Sequence, residues 1–558
     1  MSSRFLQRCR AFSSRASYNE TPLKSQYDAV VVGAGHNGLV AAGYLQKAGI
    51  NVAVLEKRHI VGGAAVTEEI VPGFKFSRAS YLLSLFRPKI VNDLRLKECG
   101  LKIFLRNPSS FTPLADSTKY LLLGLDAEPN AREIAKFSPN DAQAYDRYEE
   151  LLRRFVDSLD PLVDLPPPDF SRLASGRWVE RLETLASASN LFRAIRNLGK
   201  DSVELYKLMT SPAAKFLDSW FESEPLKCTL ATDAVIGASL SPYSAGTGYV
   251  LLHHVSGEVD GIRNAWGFVE GGMGGLSAAL AKAAETLGAT IKTNAPVTSI
   301  LTDDRTGAAR GVLLEDGTEI RANVVLSNAT PEVTFGRLVA KEALPEGFRK
   351  EISGIDYRSP VTKINVALDR LPSFATLPRP GPHLACTIHL GCETMASLHG
   401  AYLDAECGRA STVPLVEMTI PSVLDSTLAP PGKHVASLFV QYTPYAATWT
   451  DETKNAFADR VFDLIDVYAP GFTASVVGRE VLTPPDLEAI FGLTGGNIFH
   501  GAMSLDQLYF ARPAYRCPVK GLYLCGSGAH PGGGVMGAAG RNAALVVTGD
   551  IRRSHWRT

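Results

Sequence analysis

A backbone that must approach a diphosphate closely needs glycines at short spacing. This chain has two such stretches near its opposite ends. The first runs Val30-Val31-Val32-Gly33-Ala34-Gly35-His36-Asn37-Gly38. In such a loop Gly33 permits the tight strand-to-helix turn, Gly35 brings the backbone against the pyrophosphate, and Gly38 lets the helix lie close to the strand. Val32 and Asn37 flank these positions. The phosphates then sit at a helix N-terminus, where free N–H groups and the positive dipole end favour an anion. The second stretch runs Gly521-Leu522-Tyr523-Leu524-Cys525-Gly526, then Ser527-Gly528-Ala529-His530-Pro531-Gly532-Gly533-Gly534-Val535. Both point to one dinucleotide held between the two ends of the chain.

The elements that must position these loops are legible around them. Val30 to Val32 form an apolar run fit for a buried parallel strand. A helix follows to about Gly49, a C-capping glycine; Gly38, Ala41, Ala42, Leu45 and Ala48 share one face of it. A second strand, Asn51 to Leu55, ends at Glu56, near the offset of an acid that holds a ribose hydroxyl. That carboxylate would repel a 2′-phosphate. Lys57 follows, and then Gly62-Gly63-Ala64, a second place where backbone can approach the diphosphate. Gly532 to Gly537 repeats the glycine spacing, but too few residues follow it for a βαβ unit of ~30 residues. It reads as the loop entering the last helix.

Glu56 followed by Gly62-Gly63, taken with Leu522-Tyr523, Gly526 and His530-Pro531-Gly532-Gly533-Gly534, resembles the flavoprotein superfamily of amine oxidases and phytoene desaturases. The C-terminal motif is similar to the desaturase branch in particular. The central stretch agrees: Gly271-Gly272-Met273-Gly274-Gly275-Leu276, a helix, Pro296-Val297, a hairpin around Asp316-Gly317, and the returning strand Val324 to Ala329. The resemblance spans most of the chain from Tyr27 onward. It implies an α/β fold: a Rossmann-type FAD-binding domain assembled from discontinuous segments, an α+β substrate domain and a helical insertion. The expected boundaries are 25–95, 262–340 and 515–553 for the FAD domain, 96–130 and 341–514 for the substrate domain, and 131–261 for the insertion. By the same resemblance Val297 offers its backbone to adenine. Gly526 and the turn Gly532, Gly533, Gly534, Val535 meet the ribityl chain and the pyrimidine edge of the flavin. FAD is the implied cofactor, and hydride transfer from an unsaturated or apolar substrate onto flavin N5 the implied reaction. Oxygen, a quinone or another carrier would take the electrons. A redox-neutral flavin isomerase and a scaffold protein with structural FAD stay open as alternatives, since a shared fold does not dictate an activity.

Residues that could do further chemistry are few. His530 lies beside the expected flavin edge and reads more readily as a histidine stabilising the turn before Pro531. His253-His254 is a poor metal pair, because adjacent residues diverge on a helix or strand; no metal is expected. Lys363 reads as a solvated strand lysine, with contact to a water near the flavin as the functional alternative. Two tyrosine segments, Ser241-Pro242-Tyr243 and Gln441-Tyr442-Thr443-Pro444-Tyr445, either pack a core or line an apolar tunnel. Disulfide reduction would need two neighbouring cysteines. The eight present, Cys9, Cys99, Cys228, Cys386, Cys392, Cys407, Cys517 and Cys525, contain no CxxC or CxxxxC, and none follows Gly62-Gly63.

Composition narrows the rest. The 558 residues carry 57 basic and 57 acidic side chains, a balance that gives no support for a nucleic-acid partner. No apolar run approaches the roughly 18 residues of a membrane helix, so contact with a membrane, such as the mitochondrial inner membrane or its proteins, would be peripheral. Residues 1–20 hold Arg4, Arg8, Arg10 and Arg15, five serines, and no acid before Glu20. On a helix Arg4, Arg8 and Arg15 form one stripe beside Phe5, Cys9, Phe12 and Ala16. That is the pattern of a mitochondrial transit peptide, and the expected destination is the matrix.

Overall fold

The computed structural model describes residues 18–115, 117–170, 172–173 and 178–555. The expected leader lies almost wholly outside them. Five short apolar strands form one parallel sheet in the order Thr290–Lys292, Val52–Leu55, Ala29–Val32, Val324–Ser327, Leu522–Leu524. Four of the five are buried at every position, which is why they read as continuous apolar runs rather than alternating ones. The helix His36–Lys47 packs between helices Met273–Leu287 and Ala538–His555. An antiparallel meander, Val297–Thr302, Ala309–Leu314 and Glu319–Arg321, contributes Ile300, Val312 and Ile320 to the same core. The first helix ends at Lys47, with Gly49 left-handed just beyond it. Of the face read from the sequence, Gly38, Ala41, Ala42 and Leu45 are buried, whereas Ala48 is exposed because the helix ends there.

A second, seven-stranded sheet has the order Val476–Leu482, Val361–Leu368, His434–Gln441, Leu415–Thr419, Thr387–Leu390, Ser110–Pro113, Tyr120–Leu123. Only the pairing of Thr387–Leu390 with Ser110–Pro113 is parallel. Side chains alternate across the two faces. Ile364, Val366, Met418, Leu438 and Val440 face a core shared with helix Asp451–Tyr468. The alternate positions Val361, Lys363, Phe439, Glu417, His389 and Thr387 face a cavity instead.

Helices cover that cavity. The longest, Pro139–Val163, starts on Ser138, whose hydroxyl accepts from Asp141 N–H, with Pro139 at the first position. Its far end is held by the last segment of the chain. His530 Nε2 donates to Leu162 O at 2.9 Å, Asn542 Nδ2 to Val163 O at 3.0 Å and Arg541 Nη1 to Asp164 O at 2.8 Å. Three consecutive carbonyls at the helix end thus gain donors from residues some 370 positions away, Val163 and Asp164 finding there what the helix end leaves unmet. Arg87 reinforces the join through Asp160 and Asp164 at 2.6 and 2.9 Å.

Candidate functional site

The first glycine loop and Gly62-Gly63 meet. Gly62 N–H donates to Ala34 O at 2.8 Å, and Gly35 bridges Gly62 in parallel register. Gly62 and Gly63 have φ of +120° and +59°, a region that favours glycine. A Cβ on Gly63 would lie 3.2 Å from Gly35 Cα, and one on Gly38 would lie 2.2 Å from Gly33 O. Side chains at these positions would push apart the backbone segments that form the cradle beside the helix N-terminus.

Glu56 ties the cradle together. Its carboxylate accepts Ala34 N–H at 2.8 Å and Arg58 N–H at 2.9 Å. Burial raises its pKa, against the pull of those two N–H groups. A carboxylate has about four acceptor positions, so a ribose hydroxyl could still bond here. Val297 begins a strand just past Ala295, whose N–H donates to Glu56 O, so the adenine candidate sits on the acid's side of the cradle. Lys57 is exposed, and its ammonium lies by the Gly492 turn; only its backbone adjoins the cradle.

The last loop closes the other side. Asn37 Nδ2 donates to Ser527 Oγ at 3.1 Å, and a Cβ on Gly540 would lie 2.0 Å from Asn37 O. The first and last helices therefore meet at their N-termini. Asn328, at the end of strand Val324–Ser327, wedges between the loops: its amide lies against Gly33 and Gly35, its carbonyl against Gly526. Sequence reasoning saw the strand but missed this residue; its place after a buried strand beside two glycine loops was the available signal. Gly532 and Gly534 have φ of +111° and +102°, and a Cβ on Gly533 would strike Phe499 at 2.2 Å. The residues after Gly537 form the last helix, as the short remaining chain required.

Four histidines surround these loops, and burial is the main cause of each low pKa: about 4 for His36 and His530, about 3 for His253 and His500. His36 and His253 adjoin Gly534. His36 Nε2, His500 Nδ1 and Arg512 Nε are buried with no hydrogen-bond partner. Arg512 packs against Gly532 and donates to the carbonyls of Ser527 and Gly501. Unpartnered donors and acceptors beside an open backbone cradle fit a polar, extended ligand such as a dinucleotide. His530 spends its Nε2 proton on Leu162 O and is not among the cavity-lining residues, so its role is to hold the turn against the long helix.

From Ala64, Ser527, Gly534 and Val535 a cavity of about 630 Å³ extends to the face of the seven-stranded sheet. Its walls beside the loops are Leu82, Leu85, Leu487, Leu493, Ile498 and Phe499. Its floor is a row in cross-strand register: Lys363 opposite Phe439, Phe439 opposite Glu417, Glu417 opposite His389. The expectation of a solvated Lys363 is overturned. It is 1 % exposed, bonded to Asn365 and Ser437, with its ammonium 5.3 Å from the Tyr81 ring centre. Burial lowers its pKa to about 7. Helices roof this sheet face, so a charge at an alternating position does not reach water. The tyrosine expectation resolves towards packing. Tyr442 is buried with its hydroxyl on Leu240 O, whereas Tyr243 and Tyr445 are largely exposed. Tyr81, Tyr145 and Tyr148 line the cavity instead.

Glu417 is 3 % exposed and accepts from the Tyr81 hydroxyl at 3.2 Å. Burial, helped by Asp233, raises its pKa to about 8. A carboxyl raised in the folded state stabilises fully below its unfolded pKa of 4.5, and the contribution is lost as pH rises through about 8. Glu417→Gln is therefore expected to gain stability over the natural chain by a few kcal/mol at pH 8.5, and little at pH 5. Melting temperatures measured at both pH values check this; a gain independent of pH would refute it.

His253 and His254 are both buried on helix Thr247–His254, and His254 Nδ1 bonds to backbone carbonyls. Among the described residues no cysteine is disulfide-bonded and none lines the cavity.

Residues 38–547 match the profile of the flavin-containing amine oxidoreductases. The chain is 57% identical over 550 residues to pyridine nucleotide-disulfide oxidoreductase domain-containing protein 2 of Rattus norvegicus, covering 95% of this chain and 94% of that protein. It is 28% identical to a component of the limonene dehydrogenase of Castellaniella defragrans, covering 96% of each. Among solved structures, an oxidoreductase from Methanosarcina mazei superposes with a TM-score of 0.56 at 18% identity, over 93% of this chain and 99% of that one.

Proposed function

Because the chain belongs to the flavin-containing amine oxidoreductase family and is an FAD-dependent oxidoreductase, we propose that it oxidises an unsaturated, largely apolar substrate lying in the cavity between the glycine loops and the seven-stranded sheet. The observation that carries this reading is the continuity of that cavity. It is lined at one end by Ala64, Ser527, Gly534 and Val535 and along its floor by Val361, Lys363 and Phe439. In this reading Gly33 to Gly38 and Gly62 to Ala64 hold the diphosphate of FAD, Glu56 and Val297 the adenosine, and Gly526 with Gly532 to Val535 the flavin end. Bound FAD supplies the acceptor for a hydride leaving an activated C–H bond. The chain's own side chains supply orientation and exclude water. Leu82, Leu85, Ile498 and Phe499 pack an apolar body beside the loops. Lys363, with burial lowering its pKa to about 7, is divided between its charged and neutral forms at pH 7 and can hold or release a proton at Nζ between Asn365 and Ser437.

The relative named for limonene, an unsaturated hydrocarbon, supports this substrate class. The cysteine positions give no support for disulfide chemistry: burial raises the thiols of Cys228, Cys386, Cys392, Cys517 and Cys525. The arginine-rich, acid-poor leader supports the mitochondrial matrix as the site of action; fluorescence of a reporter fused to residues 1–20 tests that, and a diffuse cytosolic signal counts against it.

The test of the reaction is an anaerobic spectrum of the purified protein. Unsaturated apolar compounds are expected to bleach its flavin bands, and oxygen or a quinone to restore them. Bands that bleach only with dithionite would overturn the proposed substrate class.

A further inference from the structure

At the far end of the floor the cavity changes character. Arg106 is 2 % exposed and lines the cavity, stacked 5.2 Å from the Phe268 ring centre. Its Nη1 donates to Thr387 Oγ1 at 3.0 Å. Its Nε has no partner, and no hydrogen bond from Nη2 occurs among the described residues. Nε and Nη2 form one edge of the guanidinium, the fork that matches the two oxygens of a carboxylate.

No counter-ion stands in for that carboxylate. Among the described residues no acid lies within ion-pair distance of Arg106. Its charged-capable neighbours are Glu417, Tyr81 and Cys386, all held towards their neutral forms by burial. Arg106 is itself lowered only to about 10 and so is a cation at pH 7. A buried charge without a counter-charge is costly. Other polar atoms without a hydrogen bond lie around it: Ser110 Oγ, whose strand pairs with Thr387, and His389 Nδ1 and Glu417 Oε1, which face each other at 3.9 Å. All belong to residues lining the same cavity.

We propose that Arg106, oriented by Thr387 and Phe268, is a carboxylate subsite, and that the natural substrate is an unsaturated carboxylic acid with its acid group at this end. The inference rests on the reading that the substrate occupies the cavity beside the flavin. The Lys363 end of the floor adjoins the glycine loops through Tyr81, whose neighbour Ser80 donates to Ala64 O. From Lys363 to His389 is three strand spacings, roughly 14 Å. The bond to be oxidised therefore lies an apolar chain of about that length from the carboxylate.

The experiment titrates FAD-loaded protein with dodecanoate and with 1-dodecanol, following heat of binding and the flavin spectrum together. Dodecanoate is expected to bind at least tenfold more tightly than the alcohol. Arg106→Met should abolish the preference, and Arg106→Lys should keep only part of it. Thr387→Val, which leaves the charge but removes its orienting acceptor, should weaken it if Arg106→Met does not fold. Equal affinity of the natural chain for acid and alcohol overturns the subsite. A preference that depends on Arg106 but leaves the flavin spectrum unmoved upholds the subsite and overturns the cavity reading. Spectral change by both compounds with no preference does the reverse.

Discussion

Gly35→Glu is expected to give a folded but colourless protein. The backbone at Gly35 is extended, with φ −65°, so a side chain is allowed by conformation. What a Cβ meets is the Asn328 amide nitrogen at 2.6 Å. That group is the end of a side chain and can swing aside, so the fold survives. The cradle does not. A carboxylate placed about 4 Å from a bound diphosphate costs about 4 kcal/mol per charge pair at an effective dielectric constant near 20. At 1.4 kcal/mol per tenfold that is roughly three orders of magnitude in affinity. Flavin absorbance per protein, read beside far-ultraviolet circular dichroism, measures both parts. Gly35→Ala, which lacks the charge, should retain much of its flavin. A yellow Gly35→Glu protein would show that the diphosphate lies elsewhere.

Gly540→Ala should do the opposite, damaging the fold first and the cofactor through it. Its Cβ would stand 2.0 Å from Asn37 O and 2.8 Å from Asn37 C. Both are backbone atoms on the facing helix, so no side chain can yield. The helices His36–Lys47 and Ala538–His555 must separate, and with them the contacts of Asn37 to Ser527 and to Gly540 N–H. Overpacking of this kind costs about 1–3 kcal/mol and sometimes more. A lower melting temperature and loss of flavin on dilution are expected together. Gly347→Ala is the control: it lies in helix Glu346–Ser353, nothing stands within 4 Å of its Cβ, and a gain of about 0.4–1 kcal/mol is expected. Equal behaviour of the two variants would refute the close crossing.

The parallel strands and glycine loops were legible because each carries its signal locally: an apolar run, a glycine spacing, an acid at the right offset. Glu417, His389 and Arg106 were not. Each is a single polar residue in an ordinary segment; only the register of Leu415–Thr419 against Thr387–Leu390 brings Glu417 and His389 into one row, and only the bond to Thr387 sets Arg106 beside it. Lys363 shows the same limit. Period-two alternation in Val361–Leu368 separates two faces, but it cannot say that helices roof the polar one. The tyrosine segments divide for a related reason: Tyr442 packs in the core whereas Tyr243 and Tyr445 are exposed, although they stand in similar sequence.

The parallel sheet carries a consequence for how the protein is made. Its second-to-last strand is Val324–Ser327 and its edge strand is Leu522–Leu524, nearly two hundred residues later. Synthesis proceeds from the amino end, so the ribosome releases the first glycine loop long before the loop that closes over it exists. A nascent chain that stops short of Leu522 lacks this edge strand, the Gly532 to Val535 turn, and the side-chain donors to the Leu162, Val163 and Asp164 carbonyls. The flavin site is therefore completed only when Leu522 to Val535 emerge, nearly two hundred residues after the strand they join.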